Sequence, residues 1–323
     1  MSKFCPANNI AVTLGDPLGI GPEVCFKALL SPRLQQTTRL TLIGPLGLFA
    51  TDPRLKELRQ KKNILLVDTA AGPLSRLRMS PKTAGLHAFL ALKKAVALIK
   101  NKQVCALVTG PISKENVKLA GFAFPGHTEF LCTTFNVSDY AMMLFNDKLR
   151  VVLTTIHIPL KKVSPSLTKQ SIVTKLALTA RSLRHLFGIP HPTIAVCGLN
   201  PHAGENSLFG QEEKTIITPA IKQFLKEKLN KHTAVLGPLS ADTVFASAIK
   251  GQFDAVLCHY HDQGLIPIKL MGLEHAVNMT LGLPFVRTSP AHGTAPDIAG
   301  RNLADPSSML AALNAAVAFT QGS

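Results

Sequence analysis

Short apolar runs alternate with helix-length amphipathic segments along most of this chain, and no other feature narrows its folding options so far. IAVTL (10–14), LTLI (40–43), NILLV (63–67) and CALVT (105–109) read as buried strands. Between them lie helix candidates such as GIGPEVCFKALL (19–30) and GLHAFLALKKAVALIK (85–100). Beyond Gly126 the rhythm resumes, with strands at 150–155, 193–198 and 254–258, helices near 168–187, 211–229 and 241–250, and a closing helix over 306–319. Such alternation predicts an α/β fold with a parallel sheet, because parallel neighbours need a crossover element between them. At 323 residues the chain exceeds one typical domain, so two are expected. No Pro/Gly/Ser-rich linker separates them, which suits a chain that crosses between its lobes more than once.

Composition removes several function classes. Hydrophobic residues make up 46% of the chain, yet no window of eighteen is both uncharged and predominantly apolar, so no membrane span is expected. The N-terminal stretch lacks a long apolar core and a small-residue cleavage site, which points to the cytoplasm. Six cysteines (Cys5, Cys25, Cys105, Cys132, Cys197, Cys258) form no C-x-x-C pair and read as buried free thiols. The formal charge of +16 invites a nucleic-acid partner, but the lysines and arginines are dispersed, and two Tyr with no Trp leave little for base stacking. Neither nucleic acid nor membrane is expected as a partner.

Three histidines each follow a strand candidate: His157 after RVVLTT, His202 after TIAVCG and His261 after DAVLC. Strand ends are where open α/β sheets place chemistry. Three imidazoles converging there would suit Zn²⁺, Mn²⁺, Fe²⁺ or Co²⁺ and leave positions open for substrate. The alternative is that each is a hydrogen-bonded or surface histidine, and spacing alone leaves both readings open.

Three further sets of residues carry polar chemistry. GDPLGIGPE (15–23) fails the G-x-G-x-x-G spacing, and its prolines suit a plain strand-to-helix turn. His127 and Thr128 in GHTE, Lys269 in IPIKL, Asn278, and Arg287 in PFVRTS form a candidate anion receptor, since cations among apolar neighbours cost desolvation unless they meet an anion. The loop His292-Gly293-Thr294-Ala295-Pro296-Asp297-Ile298-Ala299-Gly300 is built of small residues that let backbone approach a ligand closely.

The segments GDPLGIGPE, VTGPISK, AGFAFPGHTEF, HIPL, GLNPHAGE, GPLSADT, HYHDQGLIPIK and NMTLGLPFVRTSPAHGTA occur in this order over residues 15 to 295. In these the chain closely resembles the 4-hydroxythreonine-4-phosphate dehydrogenase family. The resemblance implies a two-lobed α/β/α subunit of the isocitrate and isopropylmalate dehydrogenase type. It also implies a homodimer with the active site in the interlobe cleft near the subunit interface. One lobe would comprise 1–125 with 275–323 on the dinucleotide side, and the other 126–274 with the metal, substrate and dimer contacts. Carried over by position, the metal ligands are His157, His202 and His261, the last arriving from the partner subunit. Substrate contacts fall on His127, Thr128, Lys269, Asn278 and Arg287, with Lys269 and Asp262 also among the catalytic set. Asp242 and Asp262 either orient the ligand imidazoles by hydrogen bonds or satisfy backbone donors in their loops, and the first role is preferred for Asp262.

HGTAPDIAG resembles the adenosine loop of isopropylmalate dehydrogenases, placing the dinucleotide at His292, Gly293, Thr294, Ala295 and Asp297. The implied chemistry is oxidation of 4-phosphohydroxy-L-threonine by NAD or NADP with one divalent metal (Zn, Mg, Mn or Co), followed by decarboxylation, on the way to pyridoxal phosphate. The alternatives are a related dehydrogenase of 4-phosphoerythronate or 4-phosphothreonate and, more remotely, a metal-dependent hydrolase or a phosphate acyltransferase. Two positions depart from the family pattern: Ala291, where aspartate is common, and His259, where an apolar residue is usual and which would compete with His261 as a ligand.

Overall fold

The structure, a computed structural model, describes residues 9–35, 38–70, 76 and 79–321. The chain separates into two compact units, the first running to Asn136 and resuming at Leu283, the second spanning Val137–Gly282. The sequence places these crossings near 125 and 274.

The first unit is built from β1 (Asn9–Thr13), α1 (Gly21–Leu30), β2 (Arg39–Gly44), α2 (Pro53–Leu58), β3 (Ile64–Asp68), α3 (Pro81–Lys100), β4 (Ala106–Thr109), α4 (Lys114–Leu119) and α5 (His127–Thr134). The second holds β5 (Ala141–Phe145), β6 (Arg150–Leu153), α6 (Val163–Ser166), α7 (Lys169–His185), β7 (Thr193–Cys197), α8 (Thr218–Lys226), β8 (Ala234–Leu239), α9 (Ala241–Ile249), β9 (Ala255–Cys258), α10 (His261–Leu270) and β10 (Val277–Leu281). The chain then returns to the first unit for β11 (Val286–Pro290) and α11 (Ser307–Gln321).

In the first unit the strands run β3-β2-β1-β4-β11, all parallel. Ile10, Ala11, Val12, Leu107 and Val108 are fully buried, as continuous apolar runs require when both sheet faces are covered. Helix starts follow local chemistry: Ser80 caps α3 by accepting from the Thr83 amide, and Pro81 fills the first helical position, where no amide hydrogen is needed. Thr168 and Ser171 close α7 with a reciprocal capping box.

The second unit runs β10-β5-β6-β9-β7-β8 and corrects the expectation of a purely parallel sheet. β6-β9-β7-β8 is parallel, but β10–β5 and β5–β6 are antiparallel. The cause is the short Asn146–Leu149 connection. Asn146 Oδ1 accepts from the Lys148 and Leu149 amides at 3.0 and 2.9 Å, making a tight hairpin with no room for a crossover helix. β5, β8, β10 and β11 went unread: β8 contains Gly237-Pro238, and β10 and β11 mix Asn, Thr, Arg and Ser into their runs. The helix expected over 211–229 is a π turn at Glu213–Ile217 followed by α8.

Cys25, Cys132, Cys197 and Cys258 are buried free thiols, Cys105 is half-buried, and Cys5 lies outside the described residues. Among the described residues no helix is long and apolar enough to cross a membrane.

Candidate functional site

In the second unit the parallel strands β6, β9 and β7 lie side by side, with Leu153 opposite Cys258 and Val196 opposite Leu257. Their C-terminal ends therefore open onto one edge, and each is followed by one of the predicted histidines. His157 and His261 meet there, with ring centroids 5.6 Å apart. His261 is the first residue of α10 rather than part of a loop. Its Nδ1 lies 2.7 Å from Asp262 Oδ1, so the carboxylate accepts the Nδ1 proton and leaves the Nε2 lone pair available. That carboxylate–imidazole pairing is the tautomer-fixing arrangement typical of metal-binding histidines, and imidazole nitrogen is a donor type that divalent transition metals accept.

His202 does not join these two rings. It opens a left-handed turn in which His202, Ala203, Gly204, Glu205 and Asn206 have φ of 51, 52, 83, 40 and 54°. Left-handed helical backbone costs roughly 1–2 kcal/mol per non-glycine residue, so several kcal/mol must be offset by contacts around the turn. Asp242 is held below the usual carboxylate range, first by the Ser240 hydroxyl (2.6 Å) and further by His202. Among the described residues of one chain, no group of three or more His, Cys, Asp or Glu gathers closely enough to hold a metal.

His259 is not a rival ligand. It is fully buried, its Nε2 donates to the Cys197 carbonyl at 2.7 Å, and its Nδ1 faces the Thr154 hydroxyl at 3.4 Å. Burial pushes its pKa down to about 4 against the opposing pull of the Cys197 carbonyl and Glu213, so it stays neutral at neutral pH. Because His261 begins a helix, the extended geometry that would put both rings on one face does not exist.

The candidate anion residues of the first unit cluster. Arg287 on β11 is 3% exposed, and its Nη2 donates to Thr109 Oγ1 at 2.6 Å. Burial brings its pKa down to about 10, partly countered by Glu129, so it remains a cation near neutrality. His127, at the first position of α5, is pushed down to about 3 by burial and by the Arg287 charge. It is thus a neutral donor or acceptor beside a buried cation, with Thr128 next to it in the same helical turn.

In the second unit the desolvation argument fails for Lys269, which is exposed near the end of α10 on a helix whose Ile266 and Leu270 are exposed as well. Asn278 on β10 carries a buried Oδ1 without a hydrogen-bond partner, an acceptor suited to a ligand hydroxyl or ammonium.

The small-residue loop is anchored by the glycine-rich turn. The Ile20 amide donates to the Thr294 carbonyl at 2.8 Å, and a Cβ on Gly19 would stand 2.8 Å from Thr294. GDPLGIGPE is therefore a strand-to-helix turn whose glycine permits this close packing. His292 Nδ1 donates to the Gly293 carbonyl at 3.0 Å, which leaves its buried Nε2 as an acceptor without a partner. Ala295 adopts φ 37°, Asp297 is exposed, and the Ala291 amide donates to Ser308 Oγ at 3.0 Å. Behind the loop, buried Glu23 accepts from Lys27 and from the Ala304 amide, both at 2.8 Å. Sequence reasoning passed over Thr109 and the Glu212–Glu213 pair. The signal for the latter was two adjacent acids opening an amphipathic helical segment shortly after His202.

A family model described as pyridoxal phosphate biosynthetic protein PdxA matches residues 30–316. A relative from Desulforapulum autotrophicum named 4-hydroxythreonine-4-phosphate dehydrogenase is 44% identical, over 95% of this chain and 94% of its own. A D-threonate 4-phosphate dehydrogenase from Pectobacterium atrosepticum is 39% identical over 95% of this chain and 98% of its own. The 1.25 Å crystal structure of 4-hydroxythreonine-4-phosphate dehydrogenase from Klebsiella pneumoniae superposes with a TM-score of 0.80 at 37% identity, covering 97% of this chain and 99% of that one.

Proposed function

Since the chain belongs to the family of pyridoxal phosphate biosynthetic protein PdxA, we propose that it is a metal- and NAD(P)-dependent 4-hydroxythreonine-4-phosphate dehydrogenase acting in the cytoplasm. The substrate is 4-phosphohydroxy-L-threonine. Its secondary alcohol loses a hydride and a proton to give 2-amino-3-oxo-4-phosphohydroxybutanoate, which loses CO₂ to give 3-amino-2-oxopropyl phosphate. The observation that carries this reading beyond family membership is the Asp262-oriented His261, which begins α10 at the sheet edge where β6, β7 and β9 end.

When bound, the nicotinamide would supply a hydride acceptor, and a divalent cation held by His157, His202 and His261 would supply Lewis acidity toward the alcohol oxygen. The chain's residues hold and orient. His157, His202 and His261 are the ligands, and Asp262 fixes the tautomer of His261. Arg287 supplies a desolvated guanidinium for the phosphate, with neutral His127 and Thr128 hydrogen-bonding beside it. Lys269 supplies a mobile ammonium for an anionic substrate group, and the Asn278 Oδ1 accepts from a substrate donor. The His292 Nε2 accepts from a dinucleotide hydroxyl along a loop of Gly293, Thr294, Ala295 and Asp297. Binding energy from the remote phosphate is then used to align the reacting carbon, so a dephosphorylated substrate should lose turnover as well as affinity.

The chain works as a homodimer in which His261 completes the partner's metal site. Mixing His157→Ala with His261→Ala protein tests this: dimers sharing sites across the interface regain one intact site and hence activity, whereas sites confined to single chains regain none. The relative named D-threonate 4-phosphate dehydrogenase supports a second reading, oxidation of a phosphorylated sugar acid with the same grips. The deciding experiment is NAD(P)H formation from 4-phosphohydroxy-L-threonine and from 4-phosphothreonate in parallel, before and after chelation and with metal restored. Chelator-sensitive turnover of the first is expected; turnover of the second alone moves the chain to sugar-acid oxidation, and reduction of neither nucleotide overturns both.

A further inference from the structure

We propose that Glu213 is the positioning residue for His202. The inference rests on His202 being a metal ligand. Left-handed turns of this length do not persist without outside support, and residues 202–207 all have positive φ, up to 83° at Gly204. That support converges on one carboxylate.

Glu213 is only 6% exposed. Its Oε1 accepts from the amides of Leu199 and Asn200, both at 2.8 Å, and its Oε2 accepts from Asn200 Nδ2 at 2.9 Å. The two amides immediately before Pro201 and His202 are thereby fixed in space. On the far side of the turn, Glu213 Oε2 lies 2.8 Å from where a Cβ on Gly204 would stand, so glycine alone lets the carboxylate sit against the turn. One side chain thus holds the approach to His202 and braces the backbone two residues beyond it.

Glu212 reinforces the same node, accepting from Asn200 Nδ2 at 2.8 Å and from Ser164 Oγ at 2.5 Å. Glu213 itself opens a π turn, a rare element frequent at functional sites. The arrangement requires a carboxylate. A glutamine could still accept the two amides, but its own amide would then point a donor at the Asn200 donor.

The test uses the full chain and two readouts: hydrogen exchange of the peptide covering residues 199–209, and affinity for Co²⁺ followed by its visible absorption. Glu213→Gln is expected to keep the native far-UV spectrum, to speed exchange across the turn and to weaken Co²⁺ binding by roughly 10- to 100-fold, the range typical of lost support behind a metal ligand. If Glu213→Gln does not fold, Asn200→Ala, which breaks the same node while leaving both carboxylates, is read in the same way. Unchanged exchange at 199–209 overturns the proposal. So does wild-type Co²⁺ affinity in Glu213→Gln when His202→Ala has lost it. Wild-type Co²⁺ affinity in His202→Ala itself removes the ligand reading, and the proposal falls by that separate route.

Discussion

Acidification should destabilise the second unit through His259, and the size of the effect can be worked from its surroundings. The ring is fully buried beside the ends of β6, β7 and β9 and donates to the Cys197 carbonyl at 2.7 Å. Its pKa falls from an ordinary 6.5 to about 4. Between those two values the unfolded chain carries a proton that the folded chain refuses, so stability is complete above pH 6.5 and is lost as pH falls toward 4. A gap of about 2.5 pH units at about 1.36 kcal/mol each comes to about 3 kcal/mol. His259→Gln removes that linkage. At pH 7.5 it should cost about 1–3 kcal/mol for the disturbed buried hydrogen bond. By pH 4.5 most of the 3 kcal/mol acid penalty should be missing, so the variant approaches or overtakes the parent. Urea unfolding followed by far-UV circular dichroism, in chelator from pH 7.5 to 4.5, measures the difference. Parallel stability profiles for parent and variant would refute the reasoning.

Arg287→Lys keeps the charge but loses the planar fork, and it should raise KM for the phosphorylated substrate by roughly 10- to 100-fold, equivalent to about 1.5–3 kcal/mol, with little change in KM for the dinucleotide; equal effects on both would contradict the phosphate role. Asp262→Asn should weaken divalent-metal affinity by roughly 10- to 100-fold while leaving thermal stability near that of the parent, because the pair is partly exposed and contributes through orientation; isothermal titration with Zn²⁺ measures it, and unchanged affinity would remove Asp262 from the site. Glu23→Ala leaves Lys27 its bonds to the Asn302 and Ala304 carbonyls but strips the buried Ala304 amide of its acceptor, and should cost roughly 1–3 kcal/mol. A loss of unfolding free energy under 1 kcal/mol in urea would mean that the segment behind the 292–300 loop is held by other contacts.

The α/β class and most helices were legible in the sequence because apolar periodicity is a local property. A run such as IAVTL is a strand wherever it lies, and GLHAFLALKKAVALIK presents an apolar face in any context. The three histidines were legible for the same reason, as each trails its own strand. Strand neighbours were not local information. That β9 lies between β6 and β7, bringing His261 beside His157, follows from pairings between segments some 60 to 100 residues apart. The antiparallel β5–β6 hairpin depends on an Asn146 side-chain contact that no periodicity reveals.

Burial was decided in three dimensions as well. Arg287 and Lys269 each follow an apolar residue in sequence, yet one is enclosed and the other lies open to water. His259 and His261 are two residues apart, but the helix starting at the second turns one ring into the core and leaves the other partly open beside Asp262. Glu213 stood out least of all, since a carboxylate becomes a brace only when two amides and a left-handed turn are folded against it. Sequence alone determined which residue types were available for the chemistry and the strands they follow. The packing of distant segments decided which of them are dehydrated, neutral or held in one orientation, because desolvation and hydrogen-bond geometry exist only once those segments meet.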